Sequence, residues 1–223
     1  MLKALVFKEL RETGLLGLLA LAVGFYNLAS VLGYDIPHWA GHHAATTPFI
    51  GDGFVAEVAI MALFLAVALG LMQSYAESAR GTWLWLLHRP IGRNRVIAVK
   101  LAVGTVVYVL CAAPPLAVYA LWAATPRTHA SPFEWSMTID AWRYCFAMLV
   151  MYFAAFLSGV WPGRWWGARL LPFLGVGVLA YAGSHVFDRT LPLGRHWEWA
   201  WLALLAAASI YATLFVVRSR DFS

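Results

Sequence analysis

The sequence predicts an all-α, polytopic membrane protein with six transmembrane helices, and three observations carry that prediction. Of 223 residues, 62% are hydrophobic and only 12% charged, with a mean hydropathy of +0.70. A soluble domain carries about 25% charged and 45–50% apolar residues. The apolar residues are also gathered into six runs of about spanning length, and the basic residues recur between alternate runs rather than forming one patch. This composition excludes an ordinary water-soluble enzyme, a disordered regulator and a nucleic-acid-binding domain, so the net charge of +5 implies no nucleic-acid partner. No linker or internal repeat divides the chain, which reads as one transmembrane domain over 1–223. Cys111 and Cys145 both lie inside apolar runs, so neither a disulfide framework nor a cysteine zinc site is encoded.

Residues 1–12 (MLKALVFKELRE) read as a short amphipathic, interfacial helix. Leu2, Leu5, Val6 and Leu10 share an arc at about 100° per residue, with Lys8, Arg11 and Glu12 opposite. Glu9 falls inside the apolar arc, which a simple surface anchor would not want. The spans follow at about 14–33, 54–73, 98–124, 141–161, 170–187 and 197–217, each near the roughly 20 apolar residues that a bilayer requires. Polar residues precede the first run too extensively for a cleaved signal peptide. Backbone groups in lipid must bond within their own segment, so every span should be helical. Gly14, Gly17, Ala22 and Ala29 would let a second copy approach the first span closely. Pro114-Pro115 in the third span and Gly175 and Gly177 in the fifth are bending points or static kinks.

Twelve of the 16 basic residues lie in the N-terminus, 74–100, 162–169 and the C-terminus. The alternate loops hold Arg127, Arg143, Arg189 and Arg195 beside seven of the eleven acidic residues. The positive-inside rule then places both termini in the cytoplasm and residues 34–53 outside. Trp161, Trp165 and Trp166 at one face, and Trp197, Trp199 and Trp201 at the other, read as interfacial anchors.

No phosphate-cradling G-x-x-x-x-G-K-[ST] loop is encoded, so the chain does not hydrolyse ATP in the P-loop manner. Neither a G-x-S-x-G elbow nor an H-E-x-x-H helix occurs. Asn27, Gln73, Ser74, Ser158 and Ser209 are polar residues within or ending spans, best read as bonding neighbouring helices. His38, His42 and His43 share a Gly- and Pro-containing loop that imposes no ligand geometry, and no histidine is at mid-helix. These, with His129, His185 and His196, are read as solvated, so neither metal nor haem is expected.

The segment after the second span is the informative one. Gly81 breaks the descending helix, Thr82 caps a short new one, and Trp83, Leu84, Trp85, Leu86 and Leu87 make it apolar. Pro90 ends it. Glu77, Gly81, Thr82, Leu86, Leu87, Pro90, Ile91 and Arg93, with Lys100 opening the third span, fit E-x-x-x-G-T-x-x-x-L-L-x-x-P-[ILV]-x-R. An opening K-E-L-R-E (Lys8 to Glu12) and a closing Phe215-Val-Val-Arg-Ser-Arg-Asp agree. Together these resemble the type-2 permease superfamily of ABC transporters. The resemblance implies the membrane subunit of an ATP-driven exporter, paired with a second permease copy or paralogue. ATP and Mg would be bound by a separate cytosolic ABC ATPase, with no cofactor on this chain, in the plasma (inner) membrane of a bacterium. It gives Glu77, Gly81, Thr82, Trp83, Leu86, Leu87, Pro90 and Arg93 the coupling role, with Lys8, Glu9 and Arg11 of the N-terminal helix packed beside them. The connector from Asp188 to His196 is too short for the re-entrant helices of several family members. A haem-exporter-like permease of cytochrome c maturation, an intramembrane enzyme and a scaffold subunit are the alternatives. The first lacks its short motifs, and the second lacks clustered catalytic groups.

Overall fold

The computed structural model describes residues 2–34, 47–50, 53–79, 81, 92–129, 131–163, 165–190 and 194–219. Among these the chain is helical without strands. Six helices, α1 (Leu2–Val31), α2 (Phe54–Ala79), α3 (Arg93–Ala124), α4 (Ile139–Val160), α5 (Trp166–Thr190) and α6 (Gly194–Ser219), are joined by a 3-10 turn, Trp135–Thr138, ahead of α4. All six are long and apolar enough to cross a membrane, and the protein is an integral membrane protein.

Residues 2–12 do not form a separate helix; this corrects the sequence reading. α1 runs unbroken from Leu2 to Val31, about 45 Å at 1.5 Å per residue, so its first turns extend past a hydrocarbon core of about 30 Å. The Thr13 hydroxyl donates to the Glu9 carbonyl (2.7 Å) where a break was expected. The Glu9 side chain is buried, which is the cause of its odd place on the apolar arc.

The broadest contact joins α2 to α4, followed by α1 with α3. Glycines set the α2–α4 spacing. A Cβ on Gly70 would stand 2.7 Å from the Ala155 Cβ and 2.8 Å from both the Phe156 amide nitrogen and the Tyr152 carbonyl oxygen. One on Gly159 would collide with Ser74 and come within 2.8 Å of the Tyr75 backbone nitrogen. Helices in lipid gain by such close approach, because no hydrophobic force drives them together there. Around this contact lies the main core, with Leu65, Leu69, Ile97, Tyr108, Phe156 and Val217 buried in it.

Two positions singled out in the sequence pack inside the fold. Gly17 faces α3, with the Cys111 Sγ 3.0 Å from where its Cβ would be, so that position serves packing within the chain rather than against a second copy. Pro114 and Pro115 lie within α3, which continues to Ala124; Pro115 fills the notch at Gly24. Trp201 is also more than an anchor. Its indole N–H donates to the Leu179 carbonyl (3.0 Å) across α5 and α6, over Gly183, where a Cβ would strike the ring. α5 is peripheral: only 6% of its spanning window is buried. Ser158 of α4 holds it by accepting from the Phe173 amide (3.0 Å), just after Pro172 has removed one helical donor.

The first turns of α1 and the last turn of α6 lie at the same end of the bundle. Arg218 Nε donates to Asn94 Oδ1 (3.1 Å), and Val6 packs in the core that contains Val216 and Val217. Six crossings require this, and Glu77 and Lys100 lie at that end too.

Candidate functional site

Four formal charges are gathered where α1, α2 and α3 meet. Glu9 and Lys100 are fully buried and Glu77 is 4% exposed, while Lys8 is half-buried. Lys100 Nζ donates to Glu9 Oε1 (2.6 Å) and to Glu77 Oε1 (3.0 Å). Lys8 Nζ donates to that same Glu77 oxygen and lies 3.8 Å from Glu12 Oε1, one turn on. The two lysines and the two buried carboxylates cancel, as burial demands: an unpaired ion in a low-dielectric interior costs several kcal/mol, of order, and is rarely retained.

A neutral layer secures this core. Gln73, one turn before Glu77 on α2, donates through Nε2 to Glu9 Oε2 (3.2 Å) and to the Lys100 carbonyl (3.1 Å). Its Oε1 accepts from the Tyr152 hydroxyl of α4 (2.7 Å). Gly104, one turn after Lys100, makes room for that hydroxyl; a Cβ there would collide with both Tyr152 and Gln73. Four helices are thus tied by one continuous polar network inside an apolar bundle. The carboxylate oxygens of Glu9, Glu12 and Glu77 lie within 4.8 Å of one another. Two ammonium groups already bond that set, so the chemistry is that of an ion-pair lock rather than a metal cage.

The structure brings together residues that lie far apart along the chain. Lys8 and Glu9, expected on an interfacial helix, join Glu77, expected in the coupling segment. Arg11 is exposed on α1, Arg93 is half-buried at the start of α3, and Gly81 is exposed with φ +66°. Such a backbone favours glycine and fits the helix break assigned to it. Thr82, Trp83, Leu86, Leu87 and Pro90 lie outside the described residues. Glu77 is buried, and its partners include Lys8 and Lys100. Gln73 was visible in the sequence as a polar end to the second span, but its partners were not. Tyr152 carried no signal, being one aromatic residue among many. The one available signal for Glu9 was its misplacement on the apolar arc.

A second charged site lies at the opposite end. Arg143 of α4 donates to Glu198 of α6 and approaches Asp140 (3.5 Å), one turn earlier. Beside it a cavity of about 290 Å³ opens between α4, α5 and α6, with Tyr144, Met151, Tyr181 and Trp201 in its wall. All the polar contacts of Arg143 named here are within the chain, so the pair reads as a tie between α4 and α6.

No family model matches the chain, and neither a curated protein nor a solved structure matches it.

Proposed function

We propose that this chain is the membrane-spanning permease subunit of an ATP-driven exporter in a bacterial plasma membrane, with both termini cytoplasmic. A separate cytosolic ABC ATPase binds ATP and Mg, and two permease copies or paralogues form the transport unit. The observation that supports this best is the buried lock of Lys8, Glu9, Glu77 and Lys100. It binds together the two helices that flank residues 80–91 and adds α1 to them. A segment that receives force from a partner must be rigidly joined to the helices it moves, and this lock does that. The loop motif of Glu77 to Arg93 supports the same reading from the sequence side.

In this mechanism, closure of the ATPases presses on the loop, and α1, α2, α3 and α4 shift as one body against α5 and α6. Alternating access needs two packings of similar energy, biased by nucleotide. The thinly packed α5 lets the second group rearrange at modest cost.

Purification of the tagged chain from native membranes should recover an ABC ATPase, and reconstitution with it should give transport-linked ATP turnover. Pro90→Ala should abolish that turnover while insertion and dimerisation stay normal. If ATP turnover coupled to transport is unchanged in Pro90→Ala, the coupling role is wrong. Recovery of the chain without any nucleotide-binding subunit would speak against the exporter reading altogether.

Topology follows from the same proposal. A reporter that is active only outside should be silent at either terminus and active when inserted at 34–53. Activity at a terminus would reverse the orientation of the whole chain, since the first turns of α1 and the last turn of α6 share one end of the bundle.

A further inference from the structure

We propose that the outward face of the first turns of α1, with Arg95 of α3 beside it, binds the phosphate of an anionic phospholipid. α1 carries no charged residue from Thr13 to Val31, a rise of about 28 Å that fills a hydrocarbon core of about 30 Å. Residues 2–12 therefore stand at head-group level. The apolar arc read from the sequence does not lie on lipid there, because Leu5 packs on Val96 of α3 and Val6 enters the main core. The face turned outward instead carries Lys3, Phe7 and Arg11, all exposed. They recur at every fourth residue, so they form one stripe along the helix. Phe7 is 72% exposed, and the stripe continues into the membrane through Leu15 and Leu18, which are also exposed.

Charge decides the ligand. α1 and α3 run side by side in the same direction, with Leu5 against Val96 and Glu9 bonded to Lys100. Arg95, exposed at the start of α3, therefore stands at the depth of Lys3. Among the described residues no side-chain partner holds Lys3, Arg11 or Arg95. The acidic residues described at this end, Glu9, Glu12 and Glu77, already face Lys8 or Lys100. Three cations thus present open charge at phosphate depth, above side chains suited to acyl chains. A zwitterionic lipid brings an ammonium that opposes this charge, whereas an anionic lipid brings a phosphate without one. An acidic protein would match the charge but not the stripe's continuation into lipid-facing leucines. Each Lys or Arg at a membrane surface strengthens binding to anionic lipid about fivefold. This inference stands whether or not the chain works with an ATPase.

The test uses the full chain in bilayer nanodiscs containing equal amounts of phosphatidylglycerol, phosphatidylethanolamine and phosphatidylcholine with identical acyl chains. Bound lipid is counted by native mass spectrometry after release from the disc. Phosphatidylglycerol should be retained about tenfold or more over each of the others. Lys3→Gln, Arg11→Gln and Arg95→Gln combined should lower that ratio about fivefold or more. Lys3→Gln alone, at an exposed position in the first turn, should lower it in smaller measure, and decides the matter if the triple variant folds poorly. Arg127→Gln, which removes an exposed positive charge at the opposite end of the bundle, should leave it unchanged. Equal retention of the three lipids by the unaltered chain overturns the proposal and leaves the face to an acidic protein. An undiminished preference in the Lys3 and triple variants overturns it too, as does an equal loss in Arg127→Gln, which would make net charge alone the cause.

Discussion

Lys100→Met is expected to prevent stable folding, with a loss of about 3–5 kcal/mol, the cost of breaking a buried ion pair by removing one partner. The ammonium of Lys100 is bonded to both Glu9 and Glu77. Its removal leaves the two buried carboxylates facing the single ammonium of Lys8, a cluster with one negative charge in excess. The diagnostic result is the rescue. Lys100→Met combined with Glu9→Gln restores neutrality, leaving Lys8 paired with Glu77, and should recover most of the loss. Thermal unfolding in detergent, with membrane expression measured alongside, reads both variants. A Lys100→Met protein as stable as the parent would mean that the lock is decorative.

Gly70→Val should also be strongly damaging, and its effect begins in sterics. The Cβ of even an alanine there would meet the Tyr152 carbonyl and the Phe156 nitrogen at 2.8 Å, and backbone atoms cannot rotate aside as side chains can. The valine methyl groups enlarge the collision, so α2 and α4 must separate along the broadest contact in the bundle. Overpacking of this kind costs about 1–3 kcal/mol, and sometimes more. Parting these helices also withdraws Tyr152 from Gln73, so loss of the polar network adds to it. Gly159→Ala should act in the same direction, with Ser74→Gly easing its side-chain collision while the Tyr75 backbone contact remains. Unfolding midpoints and cross-linking between α2 and α4 would check the series. Unchanged midpoints in Gly70→Val would mean that the two helices pack less closely than described.

The six spans were legible because their signal is local. Runs of apolar residues interrupted by Lys3, Lys8, Arg93 or Arg169 report bilayer crossing without knowledge of any partner. Gly81 marked the end of α2, but the burial of its last turns through Glu77 was not legible. Lys100 neutralises Glu77 there, making a charged residue tolerable on a buried helix face. The first helix was misread for the same reason. Glu9 looked out of place on the apolar arc of a surface anchor, and a counter-charge 91 residues away brings it inside. Sequence patterns describe each helix against lipid or water, and a polar residue whose solvent is another helix looks like an error. The Arg143–Glu198 tie went unseen on the same grounds, both residues having been placed in outer segments.

The distance along the chain between Glu9 and Lys100 also sets an order of events during synthesis. Glu9 leaves the ribosome early, yet the ammonium that neutralises it is made 91 residues later. At 5–20 residues per second, that is a wait of roughly 5–18 s. During it the carboxylate stays hydrated at the membrane surface, because the ammonium that neutralises it is not yet made. α1 therefore begins life shallow, and reaches its final depth only once α3 has been delivered beside it. α1 is thus seated after helices made later than it, and a ribosome stalled between Ala79 and Lys100 would leave a chain that has entered the bilayer without closing its lock.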